Sequence, residues 1–177
     1  MLTAERRTED SKTLRNAEDD STIYGGEVSA QALIGNWAFD FGVAYLDSEL
    51  GDFSNVVIPL ESGGGVTDLT GAKSPEKTGN VGVEHALRLD EVVVTPWVDV
   101  AYIEETQAGL FDSPRIRLDS RTLVNAPVRI EMGQTTATLW ATNALDEEYI
   151  GGIQNNGTLF YAGAPRQYGL RVSYSFE

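Results

Sequence analysis

The chain contains no cysteine. That excludes a disulfide framework and any thiolate metal site, and it makes passage through an oxidising compartment free of pairing problems. Histidine is nearly absent: His85 is the one imidazole in 177 residues. No apolar run approaches the roughly 18 residues of a transmembrane helix. Basic residues are scarce, with 13 Lys and Arg against 27 Asp and Glu for a formal charge of -14. Phosphate binding needs clustered Lys and Arg, so this balance argues against a nucleic-acid backbone as partner. An amphipathic helical stripe is missing as well.

What is present is alternation. Tyr168, Leu170, Val172, Tyr174 and Phe176 share one parity, while Gln167, Gly169, Arg171, Ser173 and Ser175 share the other. Side chains of a strand point alternately to opposite faces, so such a segment has one greasy and one wet face. Trp37, Phe39, Phe41, Val43 and Tyr45 alternate in the same way with Ala38, Asp40, Gly42, Ala44 and Leu46. Val81, Val83, His85, Leu87 and Leu89 alternate with Asn80, Gly82, Glu84, Ala86 and Arg88. Similar patterns cover Thr22 to Ile34, Val92 to Tyr102, Leu118 to Ile130 and, less cleanly, Thr135 to Asn143, which makes seven predicted strands. In the sixth, Thr136, Thr138, Trp140 and Thr142 occupy one parity and Ala137, Leu139 and Ala141 the other, so its facing stays open.

Charge placement separates a membrane wall from a soluble sheet. Glu27, Asp40, Glu84, Arg88, Asp99, Arg121, Arg129 and Arg171 all fall on the polar parity, and the apolar parity has no Asp, Glu, Lys or Arg inside the strands. A charge on the lipid face of a barrel costs about 2 to 4 kcal/mol at midplane. Strands of about ten residues, at roughly 3.3 Å each and tilted about 45°, rise about 23 Å, which fits the apolar band of an outer-membrane barrel.

The connections alternate short and long. Gly35-Asn36, Asp90 with its neighbours and Gly133-Gln134 read as tight reversals, whereas Ser48 to Pro75, Glu104 to Arg117 and Leu145 to Arg166 read as long polar loops. Bacterial barrels keep short turns in the periplasm and long loops outside, so the carboxyl terminus is expected to be periplasmic. Residues 1–21 form a charged segment, an extracellular loop or the remnant of a preceding strand, and residues 22–177 form the barrel strands. Met1 to Asp20 has neither an apolar core nor a cleavage site and is no signal peptide. Seven strands is an odd number, and an open edge leaves backbone groups unpaired in hydrocarbon. The expectation is therefore a carboxyl-terminal piece of something larger.

Other features read blandly. His85 shares parity with Val83 and Leu87, which places it toward lipid and away from any nucleophile, so no Ser-His-Asp site is expected. Gly63-Gly64-Gly65 lacks the strand, helix and Lys of a phosphate cradle and reads as loop. Asp112, Asp146, Glu147 and Glu148 could ligate calcium or bridge lipopolysaccharide through cations, against the simpler reading of a solvated loop face. Trp37, Tyr45, Trp97, Tyr102, Trp140 and Tyr149 suit the headgroup zone. Pro96 and Pro127 fall inside strands, where a missing donor predicts local bulges.

Three segments carry a family resemblance: Ile23-Tyr24-Gly25-Gly26-Glu27, then Ala141-Thr142-Asn143-Ala144-Leu145-Asp146-Glu147-Glu148-Tyr149, then Gly163-Ala164-Pro165-Arg166 running into Gln167 to Phe176. In order and spacing they resemble the last strands of TonB-dependent outer-membrane receptors. Family members commonly have Leu-Phe where this chain has Ala144-Leu145, and many end on the terminal aromatic where this chain adds Glu177. The resemblance implies an all-β antiparallel meander, about seven to eight strands of a barrel of about 22, in the bacterial outer membrane. It further implies energy-coupled uptake of a scarce nutrient such as a ferric siderophore, with no enzymatic step and no cofactor. Expected partners are lipid and lipopolysaccharide, an unidentified transported ligand, and TonB through amino-terminal regions outside this chain. Gln167, Gly169, Val172, Tyr174 and Phe176 also fit the signal by which barrel-assembly machinery recognises a terminal strand. The alternatives are a passive porin or small structural barrel, and a soluble β-sandwich binding module.

Overall fold

The computed structural model describes residues 20–51, 69–70, 73–109, 113–154 and 157–176. Gly63 to Gly65, Asp112, Glu177 and nearly all of the charged amino-terminal segment lie outside the described residues. Among the described residues there is no α-helix, and so none long and apolar enough to cross a membrane.

The strands are β1 (Thr22–Ile34), β2 (Trp37–Leu50), β3 (Leu69–Thr70), β4 (Lys77–His85), β5 (Leu87–Leu89), β6 (Val92–Ile103), β7 (Thr106–Gln107), β8 (Arg117–Leu118), β9 (Arg121–Asn125), β10 (Val128–Met132), β11 (Thr135–Thr142), β12 (Ile150–Gln154), β13 (Leu159–Ala162) and β14 (Gln167–Tyr174). The main sheet runs β1-β2-β4-β6-β10-β11-β14, with β3, β5 and β9 attached to that path. Every pairing is antiparallel and every path neighbour follows in chain order, so the sheet is a meander. Its first and last strands, β1 and β14, are the two outer edges.

Three hairpins close with two residues between paired ends: Ile34 with Trp37, Leu89 with Val92, and Met132 with Thr135. In each, the first turn residue has positive φ (Gly35 61°, Asp90 51°, Gly133 55°). This is the pattern of II′ turns, whose twist matches that of the flanking strands. All three turns lie at one end of the sheet, and the long connections lie at the other.

Pro96 and Pro127 interrupt the ladder without bulging it. Asn125 pairs with Asp99 and Val128 with Pro96, three residues along each strand, so no residue is inserted beside Pro127. Opposite Pro96, Glu84 pairs with Trp97 and Leu87 with Val94, again without a shift. The missing donors instead appear as gaps in strand assignment at Ala126-Pro127 and Ala86. At the first gap Trp97 N donates to Pro127 O (2.9 Å) and Ala126 N to Ala141 O (2.9 Å); at the second Ala86 N donates to Asn36 O (2.9 Å) in the β1–β2 turn.

The expected long loops are partly folded. β2 continues through Ser48 to Leu50, β7 pairs with β8, and β12 pairs with β13 as a hairpin between β11 and β14. Leu118 belongs to β8 and not to the wall strand, which begins at Arg121. Among the described residues the buried hydrophobic ones are Ile116, Leu118 and Ile153, all in these connections, with Ala108 packed beside them. The main sheet has no such core.

Candidate functional site

Register fixes which side chains share a face. Val28 pairs with Val43, Phe41 with Val81, Val83 with Val98, Val128 with Leu139, and Leu139 with Leu170. Directly paired residues lie on the same side of a sheet, so these form one apolar face across all seven path strands. Phe41 is 46 % exposed and Val172 62 %. No second protein layer covers them among the described residues. In β2 the large rings are exposed while Ala38, Asp40, Gly42 and Ala44 are half-buried, the reverse of a soluble sheet.

The other face collects every charge that the alternation assigned to it. Glu27, Asp40, Glu84, Arg88, Asp99, Arg121, Arg129 and Arg171 pair with, or alternate in step with, one another on the polar side. Asn80 Nδ2 donates to Asp40 Oδ1 (3.2 Å), and Asn125 Nδ2 donates to Asp99 Oδ1 (2.7 Å). Arg129 reaches Glu84 (3.5 Å) and Glu131 (3.4 Å). Among the described residues the apolar face has no charged side chain between the Tyr45 level and the tight turns. Charge resumes at the loop end, where Tyr24 Oη donates to Asp47 (2.7 Å) and Lys77 pairs with Glu104 (3.0 Å).

Aromatic residues mark the two margins of the apolar face. Tyr24, Tyr45 and Tyr102 stand toward the loop end. Trp37 and Tyr174 stand beside the tight turns, Tyr174 with its hydroxyl on Gln134 (2.6 Å). His85 lies on the apolar face, stacked on Trp37 with centroids 4.0 Å apart, where no nucleophile faces it. Two tryptophans depart from expectation. Trp97 pairs with Glu84, and Trp140 pairs with Gly169 on the side of Thr138 and Arg171, so both belong to the polar face and not to a headgroup belt. A Cβ at Gly169 would stand 2.5 Å from the Trp140 ring; the glycine makes room for the indole. This also settles the facing of the sixth predicted strand, with Leu139 and Ala137 on the apolar side.

The five terminal-strand residues divide between faces. Gln167 and Gly169 are on the polar side, Val172 and Tyr174 on the apolar side, and Phe176 lies past the strand with its ring edge-on to Tyr174 at 4.8 Å. All but Phe176 sit in β14, the edge strand.

At the loop end the two separately noted segments around Asn143 and Gly163 meet. Asn143 is 5 % exposed with φ 47°, a conformation Asn tolerates better than most residues. Its Nδ2 donates to Glu147 O (2.9 Å) and Ala164 O (3.1 Å), and its Oδ1 accepts from Glu147 N (2.8 Å). Its own N–H donates to Asn125 Oδ1 (3.2 Å), which extends the network to Asp99 on the polar face. Asp146 accepts from Arg166 N (3.2 Å) and pairs with the Arg166 guanidinium (3.3 Å). Gly163 leaves the space that the Tyr149 ring fills, Tyr149 Oη accepts from Ala164 N (3.3 Å), and Arg121 lies 5.2 Å over that ring. Spacing along the chain does not reveal this clamp, because the hairpin separates its halves.

Of the acidic residues considered for calcium, Asp146 is engaged by Arg166. Glu147 and Glu148 border a cavity of about 600 Å³ with Asp119, Tyr149, Ile150 and Phe160. No group of three potential ligands suited to a metal ion occurs among the described residues.

No protein-family model and no curated protein matches the sequence. Solved structures do. The ferric yersiniabactin uptake receptor FyuA from Yersinia pestis is similar with a TM-score of 0.69 at 14 % identity, over 89 % of this chain and 24 % of that one. BauA, the ferric preacinetobactin receptor from Acinetobacter baumannii, gives 0.65 at 24 % identity, over 88 % and 22 %. The ferric-catecholate import receptor Fiu from K12 E. coli gives 0.65 at 16 % identity, over 89 % and 22 %. The likeness establishes the fold, and the chain spans about a quarter of the length of these receptors.

Proposed function

We propose that this chain is the carboxyl-terminal wall of a TonB-dependent outer-membrane receptor, and that the complete protein takes up a scarce nutrient such as a ferric siderophore by energy-coupled transport. Residues 22–177 supply wall strands. Their apolar face meets outer-membrane lipid, their polar face lines the lumen, the tight turns face the periplasm, and the folded connections face outside with lipopolysaccharide. Further strands of the same polypeptide cover the open edges of β1 and β14, because unpaired backbone in hydrocarbon is costly. The plug and the TonB-contacting segment belong to regions outside this chain. No cofactor or chemical step enters this reading. The terminal strand, through Gln167, Gly169, Val172, Tyr174 and Phe176, serves as the barrel-assembly signal.

The supporting observation is the segregation of charge, including Glu27, Asp40, Glu84, Arg88, Asp99, Arg121, Arg129 and Arg171, to one face of the main sheet, opposite an exposed face of Val, Leu and aromatic residues. A lipid-facing wall requires it and a soluble sheet does not. This chain has no cysteine of its own to compete for the label. In outer membranes that contain the full-length receptor, Ser29→Cys should react with a membrane-impermeant maleimide, and Phe41→Cys should not. Equal labelling of the two would overturn the reading.

A further inference from the structure

We propose that Asn143 is a positioning residue that sets where the β12–β13 hairpin, and the cavity between Glu147, Tyr149 and Phe160, stands over the polar face of the wall. The inference deepens the receptor reading and rests on it for one point, that this cavity lies at the ligand-facing mouth.

The geometry assigns the role to this side chain. The hairpin leaves the wall after β11 and returns to it at β14, so two chain segments form its neck. Asn143 ties both, through Glu147 on the outgoing segment and Ala164 on the returning one. Its backbone N–H is anchored to Asn125, itself bonded to Asp99 on the wall. Asp146 with Arg166 and Tyr149 with Gly163 and Ala164 join the two segments to each other. Ala144 N–H donates to Val124 O (2.7 Å) and Arg121 lies over Tyr149, so β9 also holds the outgoing segment, whereas Asn143 connects the wall, the outgoing segment and the returning one together. Since the Asn143 amide already makes three bonds to main chain and is buried, it acts on the cavity through the hairpin and not by touching a ligand.

The site is also selective for the residue type. It needs two donors and one acceptor on a short side chain at positive φ. Aspartate tolerates the backbone and keeps the acceptor, but it has no donor for Glu147 O or Ala164 O. Alanine loses all three bonds, to Glu147 O, Ala164 O and Glu147 N.

The test is spin-label distance measurement in the full-length receptor. One label pair spans hairpin and wall, at Tyr161→Cys and Thr138→Cys. A control pair lies within the wall, at Ser29→Cys and Ser173→Cys. With Asn143 present, both pairs should give one sharp distance. Asn143→Ala should abolish the sharp hairpin-to-wall distance and leave the wall pair unchanged. If Asn143→Ala does not accumulate, Asn143→Asp is measured in its place, with the same loss expected. An unchanged hairpin distance overturns the proposal, and so does equal broadening of both pairs, which would make Asn143 a support of the wall alone. The maleimide test of the wall is independent of these distances, so failure of the receptor reading is seen separately.

Discussion

The apolar face makes an energetic prediction that the polar face reverses. Phe41 sits four residues from Tyr45 and four from Trp37, midway between the aromatic margins, which places it at the midplane of the proposed apolar band. Phe41→Arg removes an aromatic ring whose transfer from water to an apolar surrounding is worth about 1.5 to 3 kcal/mol. It also places a guanidinium where lipid exposure costs about 2 to 4 kcal/mol. The expected loss is about 3.5 to 7 kcal/mol, a drop of about 2.5 to 5 orders of magnitude in the folding equilibrium at about 1.4 kcal/mol per decade. Ser29→Arg is the control. Ser29 pairs with Gly42 on the polar face, beside a groove of about 460 Å³ lined by small residues such as Ala44, Thr78, Asn80 and Ala101. An arginine there stays solvated, and surface changes of that kind fall within about 0.5 kcal/mol. The assay is the urea midpoint of the full-length receptor folded in lipid vesicles. Equal midpoint shifts for the two substitutions, or a Phe41→Arg shift under about 1 kcal/mol, would refute a lipid-facing Phe41.

Two further outcomes follow from single positions. Gly169→Leu should displace the Trp140 indole from the polar face of β14, with destabilisation of about 1 to 3 kcal/mol from overpacking; tryptophan emission shifted to the red on the folded protein checks it. Replacing both Tyr174 and Phe176 with Asp in the full-length receptor should prevent outer-membrane accumulation, read as receptor per cell in the membrane fraction, and unchanged levels would count against the terminal strand as an assembly signal.

The wall was legible because its signal is local. Asp40 beside Phe41, or Arg171 beside Val172, is enough to assign both faces once the strand period is known. Errors arose where the deciding fact lies on another strand. Trp140 looks the same from either side in its Thr- and Ala-rich segment, and only Gly169, 29 residues on, creates the hollow that draws it to the polar face. Trp97 reads as a margin aromatic from its place near a strand end, yet its pairing with Glu84 puts it on the polar face. Pro127 suggested a bulge because a missing donor was expected to shift register, yet its carbonyl still accepts from Trp97 and the pairing resumes in step. The clamp was half legible: both of its segments stood out as family-like, but their contact depends on a hairpin that polar composition disguised as loop. Its sequence signal is the pair of apolar clusters Ile150 to Ile153 and Leu159 to Tyr161 on either side of Asn155-Asn156-Gly157.

Where the buried residues lie gives these observations a common cause. A sheet in water needs a second layer over its apolar face, and exposed apolar patches on soluble monomers rarely exceed a few hundred Å². Here the seven-stranded face stays uncovered while the connections at its loop end bury Ile116, Leu118 and Ile153 against one another as a water-facing protein does. One chain therefore follows two solvent rules, with the change at the level of Tyr45, Asp47 and Lys77, where the apolar face first admits charge. The Asn143 clamp joins the two regimes. It is polar and rich in hydrogen bonds, as a junction must be when neither the exposed apolar stripe nor a small hydrophobic cluster reaches across it. A hairpin held only by the three-residue cluster would have little to fix its angle to the wall, so fixed placement of the cavity has to come from directional bonds; beside the Ala144 N–H to Val124 O bond, four of them meet at Asn143.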